Sequence, residues 1–333
     1  LRDALYLAGF FVGALILLFI GQGHLPSTTV LTWALTFGAT AAMGVLLVSL
    51  YRVQLQLRAS RTELARKEAE LNFAREVQAA LFPRALPTGR GLSFTAICIP
   101  AQGISGDYYD IVEGPDGRIA VALADISGKG ISAAILMANL QARFRALIES
   151  VDRPEEICNQ LNRHFVEFTD PERFATFFMA QWRPGSDEVE YVNCGHHPPL
   201  IVGTTRGELD VGGPPLGLFA GIRYRSGRLR LVPGDLLVLY SDGISEAPGA
   251  GDIEFGVDRL RKVVDEHRDR PLRVIQQNVL QALAKWTAQE PHDDMTLVIV
   301  RVDQAVLGSR QHTAFESLPE GSPAVAAIGG GLP

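Results

Sequence analysis

Residues 119–130 read Ile-Ala-Val-Ala-Leu-Ala-Asp-Ile-Ser-Gly-Lys-Gly. Six small or branched apolar residues in unbroken succession fit a short strand buried on both faces. The run ends on a carboxylate, Asp125, and two glycines then let the chain turn tightly. From Ile131 to Ser150 the apolar spacing becomes helical. Ser-Gly-Lys-Gly (127–130) is not a phosphate-binding P-loop. That pattern needs Gly at 123 and Ser or Thr at 130, where this chain has Leu123 and Gly130.

The same juxtaposition of apolar strand and acid recurs. Asp242 follows Leu-Leu-Val-Leu-Tyr-Ser (236–241) and precedes Gly243. Asp293 and Asp294 precede Met-Thr-Leu-Val-Ile-Val (295–300), and Asp107 lies in Ser-Gly-Asp-Tyr-Tyr-Asp (105–110). One such aspartate is most simply a turn or cap residue. Four sites, each beside a glycine or a buried strand, are costly as unpaired charges and point to a shared cation. Hard oxygen donors without a Cys/His cluster favour Mg²⁺ or Mn²⁺ over zinc. His196, His197 and His292 read as loop residues rather than zinc ligands, and Tyr108-Tyr109 reads as strand packing.

Around these sites the pattern predicts strands at 93–100, 119–124, 174–182, 189–193, 236–240 and 296–301. It predicts helices at 131–150, 155–167, 257–267 and 272–288. Groups of strands separated by helix pairs indicate an α+β body.

The chain has 333 residues, a net charge of −6 and 20% charged residues. That balance argues against a nucleic-acid partner. Cys98, Cys158 and Cys194 are far apart, which excludes a disulfide framework and fits inert, buried thiols in a reducing compartment.

Charge is unevenly spread. Within residues 1–51 only Arg2 and Asp3 are charged. Apolar runs at 4–20 and 30–51 flank a turn-rich break at 21–28, which reads as a transmembrane hairpin. A signal peptide is the competing reading of the first run, but no A-x-A cleavage site closes it. Arg52, Arg58 and Arg61 follow the second run. They place the body on the cytoplasmic side of the inner membrane. The chain begins with Leu rather than Met, leaving room for upstream residues.

No Gly or Pro interrupts 52–81, and Leu50, Leu57, Leu64 and Leu71 recur every seven residues. The second seam, Val53, Ser60, Lys67, Ala74 and Leu81, is only partly apolar. Two readings stand: a helix packed on the body, or a short parallel coiled coil that makes a homodimer. The expected divisions are a hairpin at 1–51, a connecting helix at 52–82, a catalytic body at 83–302 and a disordered Gly/Ala/Ser/Pro-rich tail at 303–333.

Several motifs, in order, resemble one family. They are Glu-Val-Gln-Ala-Ala-Leu-Phe-Pro (76–83), Gly-Asp-Tyr-Tyr-Asp (106–110), Ala-Asp-Ile-Ser-Gly-Lys-Gly-Ile-Ser-Ala-Ala (124–134) and Phe-Ala-Thr-Phe-Phe (174–178). Asn-Cys-Gly-His-His-Pro-Pro (193–199), Pro-Leu-Gly (215–217), Ser-Asp-Gly-Ile-Ser-Glu-Ala (241–247) and Asp-Asp-Met-Thr (293–296) complete the set. From about Phe73 to Val302 the chain resembles the PPM-type metal-dependent serine/threonine phosphatases, in their bacterial SpoIIE/RsbU-type branch. Ser105 departs from the usual Gly of Gly-Gly-Asp, and His197 from the usual Asn of Gly-His-Asn-Pro-Pro.

The resemblance implies two packed antiparallel sheets flanked by helices, with two Mn²⁺ or Mg²⁺ ions at one edge. It implies that Asp125 bridges both ions and that Asp107 and the Ile126 carbonyl serve one of them. Asp242 and Asp293 would hold the other. Asp110, Asp294 and Gly243 would support the ligands. It implies direct hydrolysis by water, with no covalent enzyme intermediate. The substrate would be a phosphorylated regulatory protein such as an anti-sigma-factor antagonist. The rival reading is a catalytically silent membrane scaffold on the same fold, whose mark would be loss of these aspartates.

Overall fold

A computed structural model describes residues 27–87, 91–101, 103–128, 130–170, 172–287 and 293–303, together with Gly9, Val12 and Gly13. Most of the first apolar run and of the polar break, His292 and the tail beyond Asp303 therefore lie outside the described residues. The chain divides into two compact units, 1–70 and 71–333.

Helix α1 (Ser27–Ala79) has 53 residues. It starts inside the expected break and continues without interruption through the second apolar run and the heptad stretch. The part from Leu31 onward is long and apolar enough to cross a membrane, and its most apolar window is wholly exposed. Leu50, Leu57 and Leu64 of the heptad seam are each more than half exposed.

The body is a four-layer stack. One sheet has the order β1-β10-β9-β6, formed by β1 (Leu92–Ile99), β6 (Leu200–Val202), β9 (Leu236–Tyr240) and β10 (Met295–Val302). The other has the order β2-β3-β4-β5-β7, with β8 also paired to β5. Its strands are β2 (Tyr108–Glu113), β3 (Ile119–Ile126), β4 (Ala175–Trp182), β5 (Glu188–Cys194), β7 (Gly212–Gly213) and β8 (Gly227–Arg230). An isolated Phe177–Gly195 bridge is parallel, and among the described strands every pairing is antiparallel except β5 with β7. That short parallel pairing departs from the expectation of purely antiparallel sheets. It is possible because a Cβ on Gly212 would lie 1.8 Å from the Asn193 carbonyl oxygen, so only glycine lets the backbones meet.

Helices α2 (Ile131–Ser150) and α3 (Pro154–Phe168) cover the second sheet. Helix α2 is apolar enough to resemble a span. However, Met137, Leu140, Phe144 and Ile148 are buried among the β2–β5 core residues, so it is a core helix. Helices α5 (Val257–Glu266) and α6 (Leu272–Trp286) cover the first sheet. Between β9 and α5 lies a single helical turn, α4 (Asp242–Ser245).

Strand β9 shows why its sequence is apolar throughout. Leu237 and Leu239 enter the core shared by both sheets, whereas Leu236, Val238 and Tyr240 face the helices α5 and α6. A strand buried on both faces loses the polar alternation of a surface strand. The Asp-bearing ends of β3, β9 and β10 are thereby held by strands that cannot slip without exposing one apolar face.

A candidate metal centre at the edge of the sandwich

Asp107, immediately before β2, is buried. Its Oδ2 accepts a hydrogen bond of 2.6 Å from Thr296 Oγ1 in β10. Thr296 N–H donates to Ser241 Oγ (2.9 Å), and Ser241 Oγ donates to the Asp294 carbonyl (2.9 Å). Ser241 precedes Asp242. One hydrogen-bonded chain thus joins the three sequence stretches that carry Asp107, Asp242 and Asp293–Asp294.

Asp294 pins the loop before Asp107. Its two carboxylate oxygens accept the backbone N–H groups of Ala101 (2.8 Å) and Gly106 (2.7 Å). Asp293 accepts from the Asp294 N–H (2.9 Å) and is exposed. The two adjacent acids therefore differ in setting: Asp294 is engaged by the loop and Asp293 is exposed, while both line the cleft.

Asp125 and Ile126 close β3. A Cβ on Gly106 would lie 3.1 Å from the Ile126 carbonyl oxygen and 3.7 Å from Asp125 Oδ1. The loop before Asp107 therefore rides directly over the end of β3. Gly243 allows the matching approach on the other side, since a Cβ there would lie 2.2 Å from the Asp294 carbonyl oxygen. Its N–H donates to Asp242 Oδ1 (2.7 Å). Ile104, Gly106, Asp125, Gly128, Asp293 and Asp294 line one open cleft.

Asp110 points elsewhere. Fully buried, it takes a bidentate pair from Arg145 of α2 (2.7 and 3.0 Å), the Tyr108 hydroxyl (2.7 Å) and the Ile111 N–H (2.9 Å). Its acceptor capacity is spent joining β2 to α2.

The electrostatics fit a cation. Burial, reinforced by the neighbouring charge of Asp125, pushes the Asp107 carboxyl well above the usual range. Among the described residues no three acidic, imidazole or thiolate groups stand close enough together to hold a metal ion as they are. Like charges repel, and a hard divalent ion is the counter-charge that oxygen donors of this kind accept. His196 has no ring nitrogen left for a metal: both are hydrogen-bonded within the protein.

Sequence reasoning missed four supporting residues. Ser241 and Thr296 lie inside the family-like motifs, but their bond crosses between β9 and β10. Gln78, near the end of α1, makes a two-point contact with the Ser105 peptide: Nε2 donates to its carbonyl (2.6 Å) and Oε1 accepts its N–H (2.9 Å). His196 is the fourth.

The sequence pattern of the family described as Stage II sporulation protein E (SpoIIE) matches residues 115–303. The chain belongs to the SpoIIE family of PPM-type protein serine/threonine phosphatases. The phosphatase is 30% identical over 237 residues to phosphoserine phosphatase RsbU of Bacillus subtilis, covering 70% of each chain. Other curated relatives are spanned over less than half of their length. Among solved structures, the SiaA PP2C domain of Pseudomonas aeruginosa superposes with a TM-score of 0.63 at 20% identity, covering 72% of this chain and 98% of that one. RsbX, crystallised in complex with magnesium, matches at 0.50 and 15%, covering 66% and 98%. These structural likenesses establish the fold.

Proposed function

We propose that this phosphatase is a membrane-anchored enzyme that uses two Mn²⁺ or Mg²⁺ ions to remove phosphate from serine or threonine of a regulatory protein. In this reading Asp107, Asp125, the Ile126 carbonyl, Asp242 and Asp293 would hold the ions. The observation that carries it is the Asp107–Thr296–Ser241–Asp294 chain, which ties three acidic stretches to one another beside the cleft lined by Asp125, Asp293 and Asp294.

When bound, a divalent pair lowers the pKa of water and neutralises charge on the phosphoryl oxygens. The protein's part is to hold oxygen donors at fixed spacing. Asp294 fixes the 101–106 loop, Gly106 and Gly243 permit close approach, and Asp125 closes the strand between them. Without cations this acidic cleft repels a phosphomonoester. Arg173 supplies a positive group beside it: its Nη1 donates to Ser132 Oγ (3.1 Å) and lies 3.7 Å from the Gly128 Cβ position.

By the chain's resemblance to the SpoIIE/RsbU-type branch, the regulatory substrate is an anti-sigma-factor antagonist. The chain is organised as a hairpin (1–51), a connecting helix (52–82), a catalytic body (83–302) and a tail. The apolar start of α1 anchors the chain in the inner membrane with the body cytoplasmic. The exposed leucine seam pairs two copies as a short coiled coil.

The test is phosphate release from a phosphoserine protein by the full-length chain in detergent. Turnover that needs Mn²⁺, stops with chelator and is lost in Asp125→Ala and Asp242→Ala supports the reading. Chelator-resistant turnover, or full activity in either variant, refutes it.

A further inference from the structure

His196 is buried at 6% exposure and engages both sheets through one ring. Its Nδ1 lies 2.8 Å from Thr176 Oγ1 of β4, and its Nε2 lies 3.2 Å from the Tyr240 carbonyl oxygen of β9. A carbonyl only accepts, so Nε2 carries the proton and Nδ1 accepts from the Thr176 hydroxyl. Both partners stand next to the candidate centre. Thr176 is the register partner of Asp125 across β3–β4. Tyr240 is the last residue of β9, two before Asp242.

The loop that presents the ring is itself fixed. The His196 N–H donates to Asn193 Oδ1 (2.8 Å), and Asn193 Nδ2 donates to the Leu209 carbonyl (2.9 Å). Gly195 has φ +70°, and a Cβ there would lie 2.5 Å from Pro215. A rigid, two-ended polar ring on a braced loop is suited to fixing a distance.

We propose that His196 is a positioning residue that sets the separation between the Asp125 half and the Asp242 half of the metal centre. It touches neither ion nor substrate and acts through Thr176 and Tyr240. The proposal rests on the metal assignment made above. Burial pushes the ring's pKa down to about 4, which keeps it in the neutral donor–acceptor form that both bonds require.

The test compares His196→Phe, His196→Gln and Thr176→Val in the full-length chain in detergent. Mn²⁺ binding is followed by titration calorimetry and thermal unfolding without metal by circular dichroism. Leu147→Ala, a buried site of α2 in the core cluster that does not include Tyr240, serves as the control for destabilisation alone. His196→Phe is expected to weaken Mn²⁺ binding at least tenfold and Thr176→Val severalfold. His196→Gln, which can still donate and accept, should recover part of the loss, and Leu147→Ala should melt lower with unchanged Mn²⁺ affinity. Parental Mn²⁺ affinity in both His196→Gln and Thr176→Val would make the ring a packing element and overturn the proposal, whether or not His196→Phe folds. A parent protein that binds no Mn²⁺ would overturn the metal assignment and this proposal together.

Discussion

Replacing Gln78 with Leu should both loosen the loop that carries Asp107 and lower the melting point of the body. Gln78 is 4% exposed, and Ser105, whose peptide it pairs with twice, is fully buried. Leucine has a similar volume, so the packing between Phe82, Tyr109 and this helix end is largely kept. What is lost is both partners of one peptide. A buried N–H or C=O left without a partner costs about 1–3 kcal/mol. Two such groups, partly relieved by loop movement, give a loss of about 3 kcal/mol. For a domain of this size that corresponds to a fall of roughly 6–12 °C in Tm. Asp294 still holds the loop from the other side, through the N–H groups of Ala101 and Gly106. The loss should therefore be concentrated there. Hydrogen exchange at Gly106 and Asp107 should accelerate more than at the β9 core, and Mn²⁺ affinity should fall. Thermal unfolding and amide exchange measure both effects. A Tm within about 2 °C of the parent, with unchanged exchange at Gly106, would refute the reasoning, because it would mean the buried peptide finds other partners.

Three other outcomes are expected. Gly243→Ala should abolish metal-dependent turnover while leaving the chain folded, since its Cβ would lie 2.2 Å from the Asp294 carbonyl and must displace the Asp242 turn; wild-type kcat/KM in this variant would contradict the geometry. Stability should fall on acidification below pH 6.5. The His196 ring has an ordinary pKa of 6.5 but about 4 when folded, so protons bind the unfolded chain first and the contribution is lost as pH falls from 6.5 to 4. The drop from this ring is about 3 kcal/mol, and urea midpoints at pH 7 and about 4.5 should show a shallower pH slope in His196→Gln. Iodoacetamide on the native protein should leave activity intact. All three cysteines are buried, and burial beside Asp107 pushes the Cys98 thiol up to about 12, so rapid alkylation with loss of turnover would be the contrary result.

The long buried strands were legible because burial on both faces erases polar alternation: β3 and β9 appear in the sequence as unbroken apolar runs. The shorter edge strands were not. β8 is Gly-Arg-Leu-Arg, and its place becomes clear only through β5, where Arg228 Nη2 reaches Glu190 Oε1 at 2.6 Å. β7 is two glycines whose only signature is close backbone approach. At the site, the aspartates stood out because each lies at a strand end or beside a glycine. Asp110 entered through the family resemblance as a supporting residue, and its partner Arg145 is a helix residue 35 positions away that no motif marks. His196 read as a loop histidine beside prolines for the same reason. Its partners lie 20 and 44 residues away, and nothing local records that contact.

The most direct measurement is an anomalous difference map at the manganese edge from crystals of the full-length phosphatase grown with Mn²⁺. Two peaks should appear in the cleft, among Asp107, Asp125, the Ile126 carbonyl, Asp242 and Asp293. Peaks bound by other residues, or none at saturating Mn²⁺, would contradict the assignment of this edge of the sandwich as the metal centre.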